Sequence, residues 1–261
     1  MNEQIAVPEA ASILGLSPGR VRALVARGQL SASKLGGRWL VERAAVEARK
    51  RQEVSDGRPF APHNAWALLF LASEESVEGI DPSVRSRLRR ALRLEGLEKL
   101  GPRLFRRAEI RFFDAHPGEV AYVLEDSKLV GSGVSAAAEH GLDLVSGQEV
   151  DGYLRAGALE RFASSHALSP AGPAGNIRLR LVPNESWRFL AGRPIAPLAA
   201  VALDLSEDPD PRSARAGRKA LRDIDRDRRA KRPSRTAASG VTSERKVVGI
   251  SPEPPRLRWR P

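Results

Sequence analysis

Leu14-Gly15-Leu16-Ser17-Pro18-Gly19-Arg20-Val21-Arg22, followed by Gly28-Gln29-Leu30 and Leu35-Gly36-Gly37-Arg38-Trp39, is the stretch whose reading decides the N-terminal fold. Gly15 ends one helix, because glycine takes the left-handed conformation at no steric cost. Ser17 and Pro18 begin another, as a capping hydroxyl and a residue with its φ already helical, so a helix runs from Pro18 to about Arg27. Val21, Leu24 and Val25 lie at i, i+3 and i+4 and pack inward. That packing turns Gly19, Ala23 and Ala26 outward, with Arg20 and Arg22 on the flanks. Working back, Pro8 suits the first position of an earlier helix, Glu9 puts negative charge in its first turn, and Ala10, Ala11 and Leu14 give it one buried side. Working forward, Gly28 stops the second helix, and Leu30 to Leu35 and Arg38 to Val41 form a hairpin about Gly36-Gly37, where paired glycines supply the positive φ angles of a two-residue turn. Lys34 and Arg38 flank its tip, and a third helix from Glu42 to about Gln52 covers the module with Ala45 and Val46.

Two short helices joined by a three-residue turn, the second with a small-residue outer face edged by arginines, have the shape that enters a major groove. A basic-tipped hairpin beside them is a wing for the phosphate backbone or minor groove. These segments, with Pro8-Glu9-Ala10-Ala11, resemble the excisionase family of winged helix-turn-helix domains, relatives of the MerR-type regulators. The resemblance implies double-stranded DNA as partner. Ser17, Gly19, Arg20, Arg22, Ala23, Ala26 and Arg27 then lie on the groove-facing helix, and Lys34 and Arg38 clamp the adjacent backbone. Val7 departs from the family pattern where a capping Ser or Thr is common, a loss of about 1 kcal/mol. Arg20 stands where a Thr is common, which alters the bases read.

The whole chain has 261 residues, 43 Lys and Arg against 32 Asp and Glu, and a net charge of +11 without a single cysteine. Disulfide scaffolds, thiolate metal sites and cysteine nucleophiles are excluded. No apolar run approaches the ~18 residues of a membrane span, and Met1 to Val7 lack the basic-then-apolar order of a signal peptide. The expectation is a soluble cytosolic protein with no membrane association and a polyanionic partner. The charge is segregated. Net values are +4 over residues 1–58, −4 over 59–84, +7 over 85–111, −7 over 112–210 and +11 over 211–261.

The expected organisation is α+β: a winged helix-turn-helix domain over residues 1–53, a linker over 54–62, a helical segment plus mixed α/β domain over 63–228, and a disordered basic tail over 229–261. The tail reads either as a solubilising extension or as a phosphate-binding arm. Asn64 to Ala72 suits a buried helix. Val84 to Leu100 reads as one helix with Val84, Leu88, Leu92 and Leu97 inward. Its Arg85, Arg87, Arg89, Arg90 and Arg93 serve either a second nucleic-acid contact or internal pairing with the acidic segment that follows. Ala108 to Asp114 and Glu119 to Leu124 read as strand then helix, Ser135 to Gly141 as a small helical patch, and Leu142 to Val145 as a short strand. Asp151 to Ala167 has helical spacing, and Ile177, Leu179 and Leu181 alternate with Arg178, Arg180 and Val182 in strand period. A long polar helix starts at Asp210-Pro211.

Asn176 to Pro183, Trp187, Pro197, Val201 to Leu205, Asp208 to Arg212 and Ala216-Gly217 resemble the C-terminal domain of actinobacterial AbiEi-type antitoxins, as does Ser132-Gly133 to Leu142-Asp143. That resemblance implies an autorepressor in a type IV system. A neighbouring nucleotidyltransferase toxin is then a second partner, and a homodimer or a second DNA-contacting module is expected because one small module buries too little surface for tight binding. An alternative is an antitoxin that chiefly holds the toxin, with DNA secondary. No cofactor, metal site or catalytic residue is expected. His63, His116, His140 and His166 lack metal-ligand spacing, and Gly131-Ser132-Gly133-Val134-Ser135 lacks a nucleophile elbow's last glycine and a phosphate loop's lysine. Glu139-His140 with Asp143 is accounted for by a helix end. Asp204, Asp208 and Asp210 are the first suspects for Mg²⁺, although Asp210-Pro211 doubles as a helix start.

Overall fold

A three-stranded antiparallel sheet gathers the N-terminal helices, and a five-stranded mixed sheet gathers nearly everything after them. The structure is a computed structural model; it describes residues 4–26, 30, 32–53, 57–144 and 147–231. Met1–Ala230 form one unit. Arg27, Gly28, Gln29, Val145 and the tail from Arg232 onward lie outside the described residues.

The first sheet has the order β1 (Gln4–Ala6), β3 (Arg38–Glu42), β2 (Ala32–Leu35). Around it pack α1 (Val7–Leu14), α2 (Pro18–Ala26) and α3 (Arg43–Glu53). Ile5, Val7, Leu14, Val21, Leu24, Leu30, Val41 and Val46 form their shared core. Strand β1 is absent from the sequence reading, and it moves the start of α1. Val7 is already helical and buried, Pro8 takes the second position, and the cap is Ala6, which has no side chain able to bond. Three residues bonded to β3 fix the chain entry that a capping hydroxyl would otherwise define.

Beyond it run α4 (Pro62–Ala72), α5 (Pro82–Leu94), α6 (Leu97–Leu100), a 3-10 segment over Gly101–Arg107, β4 (Glu109–Asp114), α7 (Val120–Glu125) and β5 (Val130–Gly131). Then come β6 (Val150–Arg155), α8 (Leu159–Ser165), β7 (Ser169–Pro170), β8 (Ile177–Val182), α9 (Leu198–Ser206) and α10 (Pro211–Ala230). The sheet order is β5-β6-β8-β4-β7, with β6 and β8 parallel and the other neighbours antiparallel. Phe113, Val123, Phe162, Ile177 and Leu179 form one core with α7 and α8. Trp66, Leu69, Leu97, Tyr153, Val182 and Leu203 belong to the other, larger core with α4, α6 and α9. No helix of the described residues is long and apolar enough to cross a membrane.

Three segments depart from the expectation their sequence raises. Asp151 to Ala167 is not one helix: Val150–Arg155 is an inner strand and only Leu159–Ser165 is helical. A strand covered on both faces has no period of two, so the chance spacing of Tyr153, Leu154, Leu159 and Phe162 read as helical. Leu142–Leu144 form no strand, since the amides of Leu142 and Leu144 bond back to Ala137 and Leu142 in a tight turn. The helix from Val84 breaks before Leu97, because Gly96 sits at φ +82 and Asp225 accepts from the amides of Leu97 and Glu98, restarting the chain as α6.

Between the sheet and α9 lies a layer of buried charge. Arg178 and Arg180 project from β8 alongside Asp151 and Tyr153 of β6, in the register Asp151 to Arg178 and Tyr153 to Arg180. Arg180 donates to Asp151 at 2.7 and 2.9 Å and meets Asp204 at 3.1 Å. Arg107 donates to Asp204 and Glu207 at 2.6 Å each and to the Tyr153 hydroxyl at 3.2 Å. Arg178 bridges Asp151 and Asp208. Burial alone would raise the Asp151 carboxyl, but Arg180 and Arg178 outweigh it and hold its pKa below the usual carboxylate value.

Candidate nucleic-acid interface

The turn between α1 and α2 is held by its own backbone. Gly15, at φ +66, and Leu16 donate to Ser12 and Ala11. The Ser17 hydroxyl then accepts from the Arg20 amide at 3.2 Å and caps α2. Val21, Leu24 and Val25 point into the core, so the opposite side of α2 is set outward: Gly19, Arg20, Arg22 and Ala26 are exposed and Ala23 is half-buried. Gly19 has open space where a side chain would stand, the nearest atom to an added Cβ being the Ser17 hydroxyl at 4.0 Å. Nothing within the fold therefore requires glycine there.

Strands β2 and β3 pair from Ala32–Val41 to Leu35–Arg38, leaving Gly36 and Gly37 as a two-residue turn at φ +56 and +80. Lys34 and Arg38 are exposed on either side, and the Lys34 ammonium lies 5.9 Å from the Trp39 ring centroid. Leu35, 70% exposed, and Trp39 also face outward on this hairpin, and the sequence reading did not place them in the site. The arginine and tryptophan after paired glycines were the available signal. Arg43, at the start of α3, pairs with Glu9 and Glu47. Arg20, Arg22, Lys34 and Arg38 have no ion pair among the described residues.

The structure thus brings Ser17, Gly19, Arg20, Arg22, Ala23 and Ala26 together on one helix and Lys34 and Arg38 on one hairpin; Arg27 lies outside the described residues. Residues 7–53 match the family model of a helix-turn-helix domain. The helix-turn-helix domain is carried at the N-terminus of a chain that mixes helix and strand. No curated protein and no solved structure matches the chain.

The residues weighed for metal or acid-base work are held elsewhere. Asp204 is wholly buried against Arg107, Arg180 and the Ser132 hydroxyl; Asp208 binds Arg178 at 2.6 Å; Asp210 caps α10 through the Ser213 amide. His63 accepts from Arg188, His116 accepts from the Gly118 amide, and His140 bonds the Ala196 carbonyl. His166 sits between Glu119 at 2.9 Å and Asp126 at 3.0 Å, on opposite ring nitrogens.

Proposed function

We propose that this protein is a sequence-specific DNA-binding regulator whose α2 enters the major groove while the β2–β3 hairpin acts as a wing on the adjacent backbone. The observation that carries this reading is the outer face of α2. Small side chains allow close approach to base edges, and Arg20 and Arg22 reach out from it without an intramolecular acid. Lys34 and Arg38 on the hairpin supply sequence-independent charge. The match to a helix-turn-helix domain supports the same reading. The antitoxin resemblance of the later segments makes the DNA upstream of the protein's own gene the operator to try, and an adjacent nucleotidyltransferase the partner to try. A binding rather than catalytic role is favoured by the aspartates, which are taken up by arginines and a helix cap.

The test is a titration of the upstream duplex and a scrambled duplex of equal length. Arg22→Ala weakens the upstream duplex by about 1–3 kcal/mol if the guanidinium reads a guanine edge, and narrows the difference between the two duplexes. Lys34→Ala weakens both alike. Unchanged affinity in both variants would contradict the docking.

A further inference from the structure

Helix α5 carries five arginines within thirteen residues, and its packing sorts them. Leu88 and Leu92 are buried, with Val84 and Ala91 beside them on the inner side. Arg85 turns back to cap the preceding loop, donating to the carbonyls of Val77 and Ile80. Arg87, Arg89, Arg90 and Arg93 are exposed and have no ion pair among the described residues. The internal pairing that an acidic neighbouring segment offers does not account for these four.

Their spacing is unfavourable for the helix itself. Arg89 and Arg93 are four apart and Arg90 and Arg93 three apart, so like charges stack on one face where Glu would stabilise. The helix dipole favours Arg93 in the last turn, but the others stand further back. Helix α10 is just as rich in arginine but carries acids of its own: Lys219 and Arg226 pair with Asp223, and Arg222 reaches Glu98 on α6, while Arg212, Arg215 and Arg218 are exposed without an ion pair among the described residues; α5 holds no acidic residue at all.

We infer that the outer face of α5, chiefly Arg89, Arg90 and Arg93, is a second phosphate-contacting surface for duplex DNA. This rests on the reading of duplex DNA as the partner. Arg89 and Arg93 are separated by about 6 Å along the helix axis, close enough for both to reach phosphates of one strand, which succeed one another every ~3.4 Å of duplex axis. Hot spots of protein interfaces draw on Trp and Tyr beside Arg, with Leu under-represented; α5 has neither aromatic, and its one large exposed apolar side chain is Leu94. Guanidinium forks with no carboxylate to bind are matched to phosphate oxygens.

The experiment measures binding of the full chain to the upstream and scrambled duplexes, and to polyglutamate, over a salt series. The triple variant Arg89→Gln, Arg90→Gln, Arg93→Gln lowers the slope of log affinity against log salt by about 2–3, weakens both duplexes by the same factor, and leaves the thermal midpoint unchanged or raised. Lysine at all three positions restores the slope. An unchanged slope overturns the inference, as does loss of polyglutamate binding with duplex binding intact, which assigns the face to an acidic protein. The two readings separate. Arg22→Ala without effect on discrimination, beside a flattened slope in the glutamine triple, removes the α2 docking and keeps this surface. The reverse pattern keeps the docking and removes the surface.

Discussion

Asp204 has no exposed surface, yet its carboxylate serves Arg107 from the 3-10 segment, Arg180 from β8 and the Ser132 hydroxyl. Such a network is strongly held only while every member is present, because the low-dielectric surroundings that strengthen each bond also penalise an unpaired charge. Asp204→Ala leaves two buried guanidiniums undercompensated and destabilises the fold by about 3–5 kcal/mol, read as a fall in the urea midpoint at unchanged slope. Exposed Arg20 and Arg22 serve as controls, and their alanine variants stay within about 0.5 kcal/mol of the parent. His166 gives a pH signature. Burial alone lowers its pKa, but its hydrogen bonds to Glu119 and Asp126, together with their charges, outweigh this and raise it above the ordinary imidazole value. A raised folded pKa contributes stability that is complete below about pH 6.5 and is lost as pH rises through the folded value. His166→Gln therefore costs most in acid and least above neutrality, and a stability gap between parent and variant that stays constant with pH would contradict this. The sequence showed the alternation of Arg178 and Arg180 with leucines; it could not show that both faces of that strand are covered, since an arginine reads as solvated until its partners, here far away in the chain, are known.

Two glycines inside helices make opposite demands on the elements that carry them. Gly217 of α10 faces α9 so closely that an added Cβ would collide with the backbone of Ala202, Leu205 and Ser206. Gly217→Ala forces α9 and α10 apart and costs about 1–3 kcal/mol as an overpacked contact, despite the better helix propensity of alanine. Gly19 of α2 has open space on the protein side. Gly19→Ala raises stability by about 0.5 kcal/mol through propensity, while the added methyl weakens the upstream duplex by about 1 kcal/mol or more if this face seats in the groove. Thermal midpoint and duplex affinity measured on the same two variants check both statements. These elements also mark what was legible. The α1 end at Gly15, the Ser17 cap, the Gly36-Gly37 hairpin, the buried α4 and the start of α10 rest on interactions within a few residues, and local chemistry reveals them. The candidate face on α2 followed from that local chemistry. Strand β1, the inner strand β6 and the break before α6 depend on β3, on β5 with β8, and on Asp225 respectively. Such partners are distant in the chain, and no local period announces them.

At the scale of the molecule, the net +11 hides alternating regions, and the −7 over residues 112–210 is drawn inward only in part. Asp151, Asp204 and Asp208 of that region serve the buried arginine layer and Asp126 lies beside His166, so the acidic stretch opposes a polyanion less than its count implies. The α2 and hairpin cations and Arg87, Arg89, Arg90 and Arg93 of α5 stay outward, and the sequence after Lys231 holds seven basic and two acidic residues. If binding is the sum of one sequence-reading helix and several sequence-blind cationic surfaces, the parts respond differently to salt and to sequence. Each phosphate neutralised contributes about 0.9 to the salt slope whatever the base pair, whereas discrimination belongs to side chains at base edges. A chain ending at Lys231 is the direct measurement. Its slope falls, both duplexes weaken by the same factor at low salt, and the ratio between upstream and scrambled duplexes stays within about twofold of the parent, since phosphate contacts carry no sequence information. If the tail serves only to keep the chain soluble, the slope stays where it was and only the concentration at which the protein precipitates changes. A collapsed ratio would instead move base reading away from α2 and onto the tail.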